Sequence, residues 1–184
     1  MFEIYVDASM VNKTFGIGVI GFVYDKKILE IKRKVKNNLR NNNEAELYAI
    51  LLAVRKMQKY KNKKIIIYSD SLNSLNLIKG VANSKNDVPF LKEIQGISNN
   101  YPYLFFSYIE SKRNPAHKVA QESLYIKKDY TKFEKTKIEK TIIKHDEENL
   151  NTKSLYFKSS EEIKVSDLSY LPKEFFDIDY LFLN

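Results

Sequence analysis

The chain has 184 residues, 43% of them apolar and 29% charged, so it is long and apolar enough to bury a core. Its net charge is +8, and it has no cysteine and only two histidines, His117 and His145; this excludes disulfide scaffolds, thiolate catalysis and multi-histidine zinc sites. No apolar run is long enough to span a membrane and the first residues lack a signal-peptide layout, so we expect a cytoplasmic protein without membrane association.

The first part of the chain has the alternating pattern of strands. Apolar and polar residues alternate over 2–7, and a polar turn is predicted at Ala8–Ser9. Residues 15–24 form the second predicted strand and 27–35 the third, joined by a tight turn at Asp25–Lys26. Three strands joined by short turns predict an antiparallel meander.

Helices then alternate with short strands. Three asparagines at 41–43 can cap a helix whose apolar residues recur at helical spacing from Asn43 to about Tyr60. The other predicted elements are a buried strand at 65–69, helices at 71–80 and 88–99, a strand at 103–109 and a helix from Ala116 to Lys127. The order predicts an α/β fold with a mixed sheet flanked by helices.

Three carboxylates occupy unusual places in this pattern. Asp7 ends a strand, Glu46 shares a helix face with apolar residues and Asp70 follows a buried strand. Each has an ordinary interpretation: a turn aspartate for Asp7, a favourable helix-dipole contact for Glu46 and an N-cap for Asp70. Alternatively, the three acids converge where strands end and bind hard divalent cations, which take oxygen ligands.

Five segments in chain order carry a resemblance to a known family. They are Tyr5-Val6-Asp7-Ala8-Ser9, GIGVI at 16–20, Asn42-Asn43-Glu44-Ala45-Glu46-Leu47-Tyr48-Ala49, Tyr68-Ser69-Asp70-Ser71 and Arg113-Asn114-Pro115-Ala116-His117-Lys118-Val119-Ala120. Residues 2–127 thereby resemble the ribonuclease H family. The resemblance implies a five-stranded mixed sheet flanked by helices.

The resemblance also implies an activity, the metal-dependent endonucleolytic hydrolysis of the RNA strand of RNA/DNA hybrids. Asp7, Glu46 and Asp70 match metal-binding carboxylates, with Asp7 bridging two Mg²⁺ or Mn²⁺ ions. Two such ions can generate hydroxide, neutralise charge at phosphorus and assist the leaving oxygen. His117 matches the fourth carboxylate of the family, and we expect it to be a catalytic and metal-binding residue; alternatively it is a bystander at a helix start.

Further residues are expected to contact nucleic acid. Asn42 and Asn43 match positions at the minor groove, where amides can read base acceptors and the 2′-OH, although plain helix capping explains them equally well. The other expected contacts are Ser9 in the first matched segment, Lys112, Arg113 and Asn114 in the loop before the last helix, and Lys118 within that helix.

Departures from the family pattern leave alternatives open. Ala8 stands where the family usually has glycine, His117 removes one negative charge, and no long basic substrate-binding protrusion fits between Asp70 and the last helix. The fold hosts many functions. A nucleic-acid-binding or protein-interaction subunit with weak or no hybrid cleavage is therefore one alternative, and a related nuclease for another nucleic acid is a second.

The charge divides the chain into two predicted parts. Residues 129–184 carry 9 lysines and 12 acids, so residues 1–128 hold the whole positive excess. A basic domain at 1–128 favours a polyanion partner, although lysine outnumbers arginine 27 to 4, as codon bias alone can produce. The acidic, aromatic-rich extension at 129–184 is expected to dock on its own domain, to self-associate or to bind a protein partner.

Overall fold

The computed structural model describes residues 1–82, 88–134, 140 and 144. Most of the predicted extension therefore lies outside the described residues, including its aromatic end at 168–182. The elements are β1 (Phe2–Val11), β2 (Thr14–Val23), β3 (Lys26–Lys36), α1 (Asn42–Met57), β4 (Ile65–Ser69), α2 (Leu72–Ile78), α3 (Leu91–Ser98), β5 (Leu104–Tyr108), α4 (Ala116–Ser123) and β6 (Tyr130–Phe133). They belong to one compact unit, Met1–Thr141.

The strands form one mixed sheet in the order β5-β4-β1-β2-β3-β6. β1 pairs in parallel with β4, as β4 does with β5, whereas the other pairs are antiparallel. The predicted mixed α/β fold is therefore confirmed, with one strand more than the five expected. The sixth strand is β6, which pairs with β3 between Leu29–Phe133 and Lys32–Tyr130 and follows the predicted domain boundary at 128.

Both hairpin turns differ from the prediction. β1 does not end at Asp7 but continues to Val11, which pairs with Thr14, so Ala8–Ser9 is strand and not turn. The turn residues are Asn12 and Lys13, with φ of 48° and 57°. The second turn is likewise displaced to Tyr24–Asp25, with φ of 46° and 61°. Two residues at positive φ match the twist of a two-residue hairpin, and Asn and Asp tolerate this conformation best.

Helix α1 begins where the sequence indicated. The Asn41 side chain accepts a hydrogen bond from the Glu44 backbone N–H at 3.0 Å, and Glu44 in turn accepts from the Arg40 backbone N–H at 2.8 Å. The first bond satisfies one of the free N–H groups of the first turn, and the second ties the residue before the cap to the helix. Since Asn41 supplies the cap, Asn42 and Asn43 are left exposed on the helix.

Helix α4 lies unusually close to β2 because the strand carries glycines there. A Cβ added at Gly18 would lie 2.5 Å from the Ala120 backbone nitrogen and 2.8 Å from the Ala116 carbonyl oxygen. Ala116 and Ala120 are fully buried in this contact. Gly18 pairs with Asp7 across the hairpin, so α4 covers the face of the sheet to which Asp7 belongs. The helix is shorter than predicted and ends at Ser123.

None of the helices among the described residues has both the length and the apolar character needed to cross a membrane.

Candidate metal centre

Asp7 and Asp70 are brought together by neighbouring parallel strands. The β1–β4 register pairs Tyr5 with Tyr68, and continuing it by two residues brings Asp7 level with Asp70. Asp70 is not the N-cap of α2, because Ser71 holds that position and accepts from the Ser74 backbone N–H. The N-cap interpretation of Asp70 is therefore wrong, and its carboxylate is not used by the helix terminus.

Glu46 reaches the same place from α1. It lies in the second turn of the helix, on the buried face with Ile50, Ala53 and Met57, as its spacing predicted. Only 5% of Glu46 is exposed. Its Oε1 is 3.5 Å from the Asn42 amide nitrogen, and its buried Oε2 has no hydrogen-bond partner among the described residues. A buried carboxylate oxygen without a donor is costly unless a cation meets it.

The three carboxylates form one cluster. Asp7, Glu46 and Asp70 each offer an oxygen, and these oxygens lie within 4.8 Å of one another. Burial, reinforced by the charges of Asp7 and Asp70, raises the pKa of Glu46 to about 9. Burial and the Asp70 charge also raise the pKa of Asp7, against the opposing effect of His117. Three mutually repelling oxygen donors suit a hard divalent cation, so the residues present fit such an ion.

His117 adjoins this cluster without belonging to it. Its Nδ1 lies 2.8 Å from Asp7 Oδ2, and its Nε2 lies 2.9 Å from the Gln121 side-chain nitrogen. Among the described residues, the group whose ligand atoms all lie within 4.8 Å contains the three carboxylates and not His117. The structure therefore brings His117 to Asp7, as expected, but through a hydrogen bond between the two side chains.

A family model for RNase H matches residues 1–170. The chain belongs to the RNase H family. No curated protein sequence matches it.

Solved RNase H structures share the fold at low sequence identity. The N-terminal RNase H domain of rv2228c from Mycobacterium tuberculosis is 15% identical with a TM-score of 0.60, covering 67% of this chain and 92% of that one. RNase H1 from Halobacterium salinarum NRC-1 is 17% identical with a TM-score of 0.57, covering 67% and 96%. LC11-RNase H1, isolated from compost and solved in complex with an RNA/DNA hybrid, is 23% identical with a TM-score of 0.57, covering 67% and 96%.

Most of the residues expected to contact nucleic acid are accessible, with one exception. Asn114 is only 5% exposed, and its amide donates to the Val6 carbonyl at 2.9 Å while its Oδ1 accepts from the Ala116 N–H. Both polar ends of the side chain are thus engaged inside the domain, and Asn114 is too deeply buried to reach a phosphate. It instead ties the loop before α4 to β1, one residue before Asp7.

The remaining expected contacts are accessible. Ser9 is partly exposed and lies two residues beyond Asp7 on the same face of β1, whereas Asn42 and Asn43 are exposed at the start of α1. Lys112 and Arg113 are exposed in the short 3-10 turn before α4, and Lys118 is exposed beside His117. Lys112 forms a 3.1 Å ion pair with Glu110, which is itself exposed.

Two features of the site were missed in the sequence. Gln121 was not singled out, although its i, i+4 spacing from His117 on a predicted helix places the two on one face. The contact between Asn42 and Glu46 has the same spacing. Helical spacing from a suspected site residue was therefore the signal that could have found both.

Proposed function

We propose that this RNase H family protein is a divalent-metal-dependent endonuclease that hydrolyses the RNA strand of RNA/DNA hybrids. The observation that carries the proposal is the buried cluster of Asp7, Glu46 and Asp70, whose oxygens lie within 4.8 Å of one another. A protein that only bound nucleic acid would gain nothing from three carboxylates held in mutual repulsion.

In this proposal Asp7, Glu46 and Asp70 hold two ions, Mg²⁺ or Mn²⁺. When bound, the ions activate a water molecule, neutralise charge at the phosphorus and stabilise the leaving oxygen. The protein contributes the fixed position of the carboxylates, since Asp7 lies in β1, Asp70 directly follows β4 and Glu46 lies in the second turn of α1. The unpartnered Oε2 of Glu46 leaves one oxygen ready for a cation.

Selection of a hybrid is assigned to the surface around the cluster. Asn42 and Asn43 extend from the same helix end as Glu46, where amides can contact the 2′-OH groups that distinguish RNA from DNA. Lys112, Arg113 and Lys118 are exposed on the α4 side and supply phosphate contacts. The hybrid bound by LC11-RNase H1 gives indirect support, because that protein shares the fold.

The test is a cleavage assay with one labelled RNA strand in three settings: paired with DNA, paired with RNA and unpaired. Each is incubated with Mg²⁺ or Mn²⁺, together with labelled duplex DNA. We expect internal cleavage of the RNA in the hybrid alone. Cleavage of another substrate in preference would move the activity to a different nuclease class, and binding without cleavage would favour a non-catalytic subunit.

The matched variant for this assay is Asp7→Asn. It keeps an oxygen that can accept from the Ala8 N–H, which now donates to Asp7 at 2.9 Å, but removes one charge from the cluster. We expect hydrolysis to fall by at least about a thousandfold, since the site loses a negative charge that would hold the cations. Thermal stability should be kept or raised because carboxylate repulsion is relieved. A wild-type rate in Asp7→Asn would refute the catalytic assignment.

A further inference from the structure

His117 is held at both ring nitrogens. Nδ1 faces Asp7 Oδ2 at 2.8 Å, and Nε2 faces the Gln121 side-chain nitrogen at 2.9 Å. The ring also sits at a fixed backbone position, because the His117 N–H donates to the Asn114 carbonyl at 3.1 Å and Asn114 is bonded to β1. The half-exposed ring thus has two side-chain partners and a rigid attachment.

The two partners define one tautomer. A carboxylate oxygen can only accept, so the hydrogen bond to Asp7 requires the proton on Nδ1. The amide nitrogen of Gln121 can only donate, so Nε2 must be the unprotonated nitrogen. The lone pair of the neutral ring is therefore directed to Gln121, and the nitrogen nearest the carboxylate cluster carries a proton.

We propose that His117 is a positioning residue that donates a hydrogen bond to Asp7, that it is not a metal ligand, and that Gln121 holds the ring in this role. This inference rests on the proposed metal site. It departs from the expectation that His117 replaces a fourth metal-binding carboxylate, because a nitrogen that donates a proton to Asp7 has no lone pair for a cation.

The arrangement fixes the orientation of Asp7. Its Oδ1 accepts from the Ala8 N–H at 2.9 Å and its Oδ2 accepts from His117, so each oxygen has a donor. Each oxygen keeps lone pairs for a cation. Donors behind metal-binding carboxylates set their direction, and their removal commonly lowers metal affinity about 10- to 100-fold.

The experiment compares three variants at one position by calorimetric titration of the full-length protein with Mn²⁺, without nucleic acid. His117→Asn keeps an amide N–H near the place of Nδ1 without the imidazole nitrogens, whereas His117→Gln carries the same amide one carbon further out. His117→Ala removes the donor. A positioning role predicts affinity within about threefold of wild type for His117→Asn and about tenfold weaker binding for the other two.

Two results of this titration would overturn the inference. Equal losses in His117→Asn and His117→Ala would make the imidazole a ligand, and wild-type affinity in all three would make it a bystander. If the wild-type protein itself binds no Mn²⁺, the proposed function fails, and the role of His117 is then decided by its tautomer in the metal-free protein.

NMR measures that tautomer through the imidazole ¹⁵N resonances of His117. These resonances are assigned because they disappear in His117→Ala. We expect the Nδ1–H form in the wild type and a mixture of forms in Gln121→Ala, because the donor that faces Nε2 is lost. Gln58→Ala is the matched control, an exposed glutamine at the far end of α1, and should leave the spectrum unchanged. An Nε2–H ring in the wild type, or an unchanged ring in Gln121→Ala, would contradict the proposal.

Discussion

Glu46 is a buried carboxylate that adjoins two other acids. Its pKa is raised to about 9, first by burial and then by the charges of Asp7 and Asp70. Without metal, the folded protein therefore binds a proton at Glu46 at neutral pH, whereas the unfolded chain does not. The stability gained from that proton is complete below about pH 4.5 and is lost as the pH rises towards 9.

This shift predicts how the metal-free protein responds to pH. In EDTA, we expect the melting temperature to fall by several degrees between pH 5 and pH 9, and Glu46→Gln to remove most of that fall, since its amide never ionises. Differential scanning calorimetry of both proteins across this range is the measurement. Glu110→Gln, an exposed carboxylate outside the cluster, is the control and should keep the wild-type slope. A wild-type melting temperature that rises with pH would contradict the prediction.

The resemblance to the RNase H family indicated the three carboxylates but not the hydrogen bonds around them. Asp7, Glu46 and Asp70 could be predicted because their motifs fix the strand or helix that carries each one. The role of Asn114 could not, because it depends on a contact with Val6, which is distant in sequence, whereas the contact of Gln121 with His117 could have been inferred from helical spacing. A polar residue in a loop is predicted to be exposed unless its tertiary partner is known.

At the scale of elements, the position of α4 depends on the glycines of β2, which have no side chain to hold the helix away from the strand. Gly18 lies under the backbone of Ala116 and Ala120, so any larger residue there must push the helix outward. Because α4 also carries His117 and Gln121, such a shift would separate His117 from Asp7. The packing of one strand thus controls the geometry of the candidate metal centre.

Gly18→Ala is therefore expected to destabilise the protein by about 1–3 kcal/mol, the usual cost of overpacking. Gly96→Ala provides the opposite control, because it lies within α3 and an added Cβ there meets nothing within 4 Å. Alanine in a helix interior is favoured over glycine by up to about 1 kcal/mol, so this variant should be stabilised. Urea unfolding of both variants gives the comparison, and a neutral Gly18→Ala would mean that α4 moves without cost.

The elements themselves were largely predictable, whereas their ends were not. Periodicity located the three strands of the meander and helix α1, because these segments are long and strongly patterned. The second half of β1 was missed because Ala8–Ser9 was interpreted as a polar turn, although Asp7 and Ser9 continue the alternation with Ala8 and Met10. β6 has four residues and partly exposed side chains, so little in its composition distinguishes it from a loop.

At the scale of the molecule, the sheet extends beyond the 128-residue domain that the sequence predicted. Phe133 contributes to this extension, with its ring 6.1 Å from that of Tyr60 and the Lys59 ammonium 4.0 Å from its centre. A chain ending at Lys128 would lose these contacts and the pairing with β3. A chain ending at Thr141 keeps the whole compact unit.

We therefore expect the protein ending at Lys128 to be less stable than the protein ending at Thr141, by about 1–2 kcal/mol for a partly buried aromatic residue and its strand. Chemical denaturation of the two truncations measures the difference. Equal stabilities would show that β6 contributes nothing to the sheet. Phe133→Ala in the longer truncation separates the contribution of the ring from that of the backbone pairing.

The charge of the whole domain predicts a salt-dependent interaction. Residues 1–128 carry 22 basic and 11 acidic residues, and Lys112, Arg113 and Lys118 are exposed in α4 and the turn before it. Affinity for a hybrid, measured by fluorescence anisotropy with Asp7→Asn to prevent cleavage, should fall at least about tenfold between 50 and 200 mM salt. Lys118→Ala should reduce the slope of log affinity against log salt concentration by roughly one, because one phosphate contact is lost. An affinity independent of salt would favour codon bias as the origin of the lysines.

The bond between Asn114 and the Val6 carbonyl joins parts of the chain that a ribosome makes at very different times. At roughly 5–20 residues per second, the interval between their syntheses is on the order of 5–20 s. Throughout that interval Asp7 exists without His117, and β2 exists without the helix that covers its glycines. A nascent chain therefore acquires the complete site only after Gln121 has emerged from the exit tunnel. Until then the three carboxylates belong to an unfinished sheet.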